Sequence, residues 1–214
     1  MQSRPHGYDR SVTRIIAGAA RGHSLSVPKS GTRPTSDRVR EAMFSSLESL
    51  LDLGGVAVLD LYAGSGALAF EALSRGASSA VLVEQSKAAT AVLRANAELL
   101  ARVTREQGRR TVTTRVAQSA VSSFLRTPPA QRFELVFIDP PYELGEAELA
   151  EALEALMPHL APEAVVVIER GSRSPAPTVP HSFDPLRRKA YGETIVYSYE
   201  ALPVEESDAE KSQA

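Results

Sequence analysis

The stretch Val56-Ala57-Val58-Leu59-Asp60-Leu61-Tyr62-Ala63-Gly64-Ser65-Gly66-Ala67-Leu68 decides the fold of this 214-residue chain. Residues 56–61 form an apolar, partly β-branched run of the kind that becomes a buried strand. Gly64 and Gly66 then mark a turn, and residues 66–75, with Phe70 and Leu73, read as a helix. A strand that enters a glycine-rich turn and then a helix gathers free backbone N–H groups at one spot, where a ligand can come close.

The same alternation continues on both sides. Further strand candidates are 79–84, 111–116, 134–138, 164–169 and 194–199; helix candidates are 36–51, 86–101, 117–126 and 146–160. Strands alternating with helices predict an α/β domain, a mostly parallel sheet with helices on both faces. The first helix is capped by Thr35 or Ser36. It sets Val39, Met43, Phe44, Leu47 and Leu50 or Leu51 on one face, with Arg38 and Glu41 on the other. Residues 14–30 alternate loosely and contain glycines, which predicts a small β-hairpin. The proline-rich stretch 175–185 reads as a loop before the final strands. From Ala201 onward the chain is acidic and poor in apolar groups, as in a flexible tail. The expected organisation is a basic arm and hairpin extension at 1–35, a main domain at 36–200 and an acidic flexible tail at 201–214.

Composition narrows the class. With 43% hydrophobic residues the chain can bury one α/β core. No apolar run approaches the roughly 20 residues that span a bilayer, and the start lacks a signal-peptide pattern, so no membrane association and a cytoplasmic location are expected. There is no cysteine. That excludes disulfides, thiolate metal sites and cysteine nucleophiles, and with them the covalent route to C5-methylated pyrimidines. His6, His23, His159 and His181 stand far apart and are expected at the surface or as caps, with no metal bound. The net charge is −2, yet residues 1–40 hold eight basic groups against two acidic ones. A basic arm joined to a slightly acidic body suits a partner rich in phosphate.

The glycine turn alone leaves the ligand open. Gly64-x-Gly66-x-x-Ala69 with Glu84 eighteen residues after Gly66 also fits a dinucleotide site. Asp60 argues for a different ligand. Its carboxylate would repel a pyrophosphate but attract the ammonium and sulfonium of S-adenosylmethionine. Glu84, at the end of the second strand, has two oxygens to accept from a ribose diol, and Gln85 adjoins it. Asp139-Pro140-Pro141-Tyr142 ends the fourth strand. Its prolines stiffen the loop and remove two N–H donors, so carbonyls there need donors from elsewhere. If Asp139 and the Pro140 carbonyl each accept one N–H of a planar amino group, its lone pair is aimed without covalent catalysis. Tyr142 offers a face on which a flipped base stacks, worth roughly 1–3 kcal/mol.

These motifs resemble class I S-adenosylmethionine-dependent methyltransferases of the amino-group type. Thr32-Arg33-Pro34-Thr35-Ser36-Asp37-Arg38-Val39-Arg40-Glu41-Ala42-Met43-Phe44, with Arg14 to Gly18 upstream and Ala72 to Ala77 downstream, is similar to the RsmD family over roughly residues 13–200. That family comprises bacterial enzymes that methylate the N2 amino group of a guanine in 16S rRNA.

The resemblance implies a Rossmann-like class I methyltransferase fold with a seven-stranded, mostly parallel sheet. It implies S-adenosylmethionine as cofactor, and 16S rRNA or a small-subunit assembly intermediate as partner of a monomer. It implies that Asp60, Ala63, Gly64, Gly66 and Glu84 contact the cofactor; Tyr62, Ser65 and Gln85 are expected beside them in the cofactor site. Asp139, Pro140, Pro141 and Tyr142 form the reaction site, and Arg33, Thr35, Arg38 and Arg40 meet RNA or close the site. Where many class I enzymes hold an acidic residue for the adenine amino group, this chain has Ala117-Gln118-Ser119, and Gln118 can accept through its amide oxygen. The tetrapeptide itself suits any planar amino group, so adenine N6 and cytosine N4 stay open. A dinucleotide-dependent oxidoreductase fits Asp60 and the proline loop poorly, and a non-catalytic RNA-binding module would be indifferent to Asp139→Ala.

Overall fold

The computed structural model describes residues 12–28, 36–108 and 111–202. Two short antiparallel strands, β1 (Val12–Arg14) and β2 (Ser24–Ser26), precede helix α1 (Asp37–Leu47). Next come β3 (Ala57–Leu61), α2 (Ala67–Arg75), β4 (Ser79–Glu84), α3 (Lys87–Glu106), β5 (Thr113–Gln118), α4 (Val121–Leu125), β6 (Phe133–Ile138) and α5 (Glu146–Leu156). A 3-10 turn (Met157–His159) leads into β7 (Leu160–Gly171), β8 (Phe183–Tyr191) and β9 (Thr194–Ala201).

Seven strands form one sheet in the order β5-β4-β3-β6-β7-β9-β8. The first five are parallel to one another, and β9 runs antiparallel to both β7 and β8. This is the doubly wound α/β arrangement the strand and helix pattern predicts, closed by an antiparallel pair. Central strands buried on both faces need continuous apolar sequence, and Leu59, Leu82, Leu135, Val136 and Val166 are fully enclosed. One apolar cluster joins the first face to α1, α2 and α3 through Phe44, Phe70 and Leu93; another joins the second face to α4 and α5 through Leu125, Leu149 and Leu153.

The N-terminal hairpin is built into the first cluster. Ile15, Ala20 and Leu25 are buried there. Glu71 of α2 accepts from the backbone N–H of Ile16 (2.7 Å) and Ala17 (3.0 Å), and Ser74 Oγ accepts from Ala20 (2.9 Å). Gly18 has φ +77°, and a Cβ there would lie 1.9 Å from the Ser74 carbonyl oxygen, so only glycine lets the hairpin approach α2.

Several boundaries shift from the sequence reading. β5 lies two residues later than 111–116, which leaves α4 only 121–125 of the expected 117–126. α3 continues to Glu106, and α5 ends at Leu156 instead of reaching 160. β8 was unforeseen because Phe183-Asp184-Pro185-Leu186-Arg187-Arg188-Lys189 shows no alternation. It is an edge strand whose proline sits at a register shift, where a missing N–H and exposed charges are tolerated. His159 is buried, and its Nε2 donates to the Leu125 carbonyl (3.0 Å) at the end of α4. Among the described residues no helix is long and apolar enough to cross a membrane. Residues 203–214 of the expected tail lie outside the described residues.

Candidate active site

From β3 the chain winds outward through β4 and β5, whereas β6 lies on the opposite side of β3 and leads to β7. The connections after β3 and β6 therefore diverge, leaving a crevice at the carboxyl ends of these strands, where ligands bind in such sheets. A cleft of about 950 Å³ opens there.

One wall comes from the β3–α2 loop. Tyr62 takes φ 63°, a conformation uncommon for a residue with a side chain, and is followed by Gly64 at 54° and Gly66 at 76°. The Ala63 N–H donates to the Val83 carbonyl (3.0 Å) and that of Gly66 to Ala63 (2.6 Å). Glu84 braces the loop from β4: one carboxylate oxygen accepts from Gly64 N–H (3.1 Å), the other from Ser86 N–H (2.7 Å). From below, Asn96 of α3 donates to the carbonyls of Ser65 and Ser26, each at 3.0 Å. Gly66 is required by packing, since a Cβ there would meet the Phe70 ring at 2.4 Å and Leu82 and Leu93 at 2.8 Å. Tyr62, Gly64, Glu84 and Gln85 line the cleft.

Asp60 does not. It is 2% exposed, and its carboxyl accepts from Ala69 N–H (3.2 Å) in the first turn of α2. Burial pushes its pKa up to about 8; the Ala69 N–H opposes that rise, while Asp139 and Glu84 add to it by repulsion. Burial thus favours the protonated form of this carboxyl. Ala63 and Gly66 are also buried, and the Ser65 backbone carbonyl accepts from Asn96. Gln118 is exposed beside Glu84 in the β4–β5 register and lies off the wall, which is formed by Ser119, Ala120, Val121 and Ser122 instead.

The opposite wall is the loop after β6. Asp139, Pro140, Pro141 and Tyr142 all face the cleft. The Pro141 carbonyl is engaged by Leu144 N–H (3.0 Å), whereas among the described residues no backbone N–H donates to Pro140. Asp139 opens to the cleft, and loss of hydration beside the protein raises its pKa to about 6, so it is ionised at pH 7 and close to its own titration. Tyr142 is 73% exposed and stands against β7, where a Cβ on Gly171 would lie 3.4 Å from its ring. Burial, aided by Glu148, raises the Tyr62 phenol to about 12, so it stays a neutral donor.

Of the arginines expected to meet RNA, only Arg38 is described and exposed, close to Ser36 and Val39 on the cleft rim. Arg33 and Thr35 lie outside the described residues. Arg40 is 1% exposed and cannot reach a phosphate. Its guanidinium donates to Thr13 (2.9 Å), to the Arg14 carbonyl and to Asp37 (3.1 Å), clamping the hairpin to α1. The spacing Arg40, Met43, Phe44, Leu47 already puts it on the buried face. Sequence reasoning also missed cleft residues from distant elements: Glu169 and Arg170 at the end of β7, and Tyr191 and Thr194 around the β8–β9 turn. No local motif marks them, because only the sheet order brings them to the site.

Comparison with known proteins agrees with this fold. The family model described as conserved hypothetical protein 95, which corresponds to the RsmD family, matches residues 13–200. The chain belongs to this family. Among the relatives of this RsmD-family chain, ribosomal RNA small subunit methyltransferase D of Escherichia coli K12 is 36% identical over 210 residues, covering 97% of this chain and 99% of its own length. The Haemophilus influenzae protein of the same name is 36% identical, with 86% and 91% covered. The solved structure of yhhF from Escherichia coli has a TM-score of 0.75 at 34% identity, covering 90% of this chain and 99% of that one. These likenesses carry the Rossmann-like methyltransferase fold to the RsmD-family chain described here.

Proposed function

We propose that this protein transfers a methyl group from S-adenosylmethionine to the exocyclic N2 amino group of a guanine in 16S rRNA. One observation carries the reading. Asp139, Pro140 and Tyr142 line the same cleft as Gly64 and Glu84, so a planar amino group and a nucleoside cofactor can meet there. The relatives named ribosomal RNA small subunit methyltransferase D support an RNA substrate.

The donor set fits the cofactor. Glu84, already oriented by Gly64 and Ser86, keeps lone pairs for a ribose diol, and Gly64 and Gln85 adjoin it. A cleft of about 950 Å³ has room for the cofactor and an inserted base. When bound, S-adenosylmethionine supplies a methyl on a sulfonium, whose transfer leaves a neutral thioether and requires the accepting nitrogen to shed one proton.

The chain's own groups prepare that nitrogen. Asp139 and the Pro140 carbonyl accept its two N–H bonds, which holds the lone pair toward the cofactor wall and resists rotation. With a pKa near 6, Asp139 is ionised at neutral pH and is a competent acceptor for the departing proton. Tyr142 packs on the base, and Arg38 at the rim takes a backbone phosphate.

The deciding assay incubates the protein with labelled S-adenosylmethionine and 16S rRNA, naked or assembled into small-subunit particles, and analyses the nucleosides. The expected product is N2-methylguanosine. Label in adenine or cytosine, or none in either substrate, overturns the guanine assignment.

A further inference from the structure

The Asp-Pro-Pro-Tyr loop can hold the amino group of guanine, adenine or cytosine, so some other group must choose the base. The difference lies one atom away on the same edge. Guanine carries a ring N–H donor at N1 beside its amino group, whereas adenine and cytosine present a bare ring nitrogen, an acceptor, in that place. A second acceptor beside Asp139 would therefore select guanine and reject the other two.

We infer that Glu169 is this second acceptor: its carboxylate takes the guanine N1–H while Asp139 and the Pro140 carbonyl hold N2. The sheet register places the two residues at neighbouring strand ends. Phe137 pairs with Val167 and Ile138 with Ile168 across β6 and β7. Phe137 and Val167 point into the first apolar cluster, Ile138 and Ile168 into the second. Asp139 and Glu169 each follow that last pair by one residue, so continued alternation returns them to the first face at the ends of strands about 4.8 Å apart. The pairing of Glu169 with Val196, a member of the first cluster, puts it on that face independently. Both residues line the cleft.

Burial gives Glu169 its leverage. It is 5% exposed, whereas Glu143, Glu148, Glu151 and Glu193, which also line the cleft, are exposed to water. An exposed carboxylate loses little when a base offers it no proton, because water replaces the contact. A buried one facing a bare ring nitrogen meets a lone pair with no water between them, a repulsion that corresponds to roughly 10- to 100-fold discrimination in favour of N1–H.

The inference rests on the guanine reading above, and the test separates the two. Small-subunit RNA is prepared with guanine or 2-aminopurine at the nucleotide the wild-type protein methylates. The analogue keeps the amino group, replaces N1–H with a bare nitrogen and carries hydrogen in place of the 6-oxo group, so the change in preference on substituting Glu169 is what reports on N1. The wild type is expected to favour guanine by roughly 100-fold in kcat/KM. Glu169→Gln, whose amide can donate to that nitrogen, is expected to reduce the preference at least tenfold, with S-adenosylmethionine affinity unchanged.

An unchanged preference, or equal loss on both substrates, overturns the role of Glu169. If the wild type places its methyl on adenine or cytosine, the guanine reading fails first, and this inference with it. Should Glu169→Gln not fold, Glu169→Asp serves instead. Its retracted carboxylate is expected to slow transfer to guanine while sparing transfer to 2-aminopurine, and an unchanged ratio again overturns the assignment.

Discussion

The two loops that face each other across the cleft are held in opposite ways. The β3–α2 loop is fixed from behind by the core: Gly66 against Phe70, Asp60 on Ala69 N–H, Glu84 on Gly64 N–H and Asn96 on the Ser65 carbonyl. The loop after β6 is stiffened by its own two prolines and leaves Asp139 and Tyr142 open to the cleft. Under the proposed function, cofactor binding would be tied to stability on one side, while on the other the reacting groups would be separable from it.

That contrast can be broken experimentally. The largest effect is expected from Asp139→Ala, which removes the charged acceptor. Turnover should fall about 10³-fold while cofactor affinity, measured by calorimetry, stays within about threefold. Equal losses in both would mean that the two loops are not independent.

Gly66→Ala should do the reverse, destabilising the protein by about 2–4 kcal/mol in denaturant unfolding, because the added methyl collides with Phe70, Leu82 and Leu93 in a left-handed backbone conformation. Unaltered stability would contradict the packing described. Next in size, Tyr142→Ala should weaken RNA engagement about 10- to 30-fold through KM, with no change in thermal midpoint, since its ring is exposed.

The smallest effect concerns pH. The pKa of Asp139 is raised to about 6, and its ionised form is the one that accepts. Single-turnover rates should therefore be full above about pH 7 and drop about tenfold by pH 5, as the carboxylate is protonated. A flat profile in that range would remove Asp139 from the proton path.

Much of this was legible in sequence because it is local. Strand, glycine turn and helix follow one another in residues 56–75, and Asp139 to Tyr142 are contiguous, so both loops announce themselves. What escaped depends on what stands behind a residue. Asp60 reads as a charge beside a cofactor, but nine residues later Ala69 N–H claims it inside the core. Arg40 reads as part of a basic arm, but helical spacing turns it inward to Thr13 and Arg14. Glu169 follows an ordinary apolar strand, and only the pairing of β6 with β7 gives it a neighbour.

The hairpin docked on α2 and α3 has a consequence during synthesis. Ile16 and Ser26 leave the ribosome early, yet their partners Glu71 and Asn96 lie 55 and 70 residues further along the chain. At typical elongation rates the hairpin waits roughly 3–14 s for its docking surface. Strands of three residues do not persist alone for that interval, so Ile15 and Leu25 travel as exposed apolar groups until α3 emerges. The hairpin is thus made before the surface it docks on, and the nascent chain is most vulnerable to aggregation and proteolysis before residue 96 clears the exit tunnel.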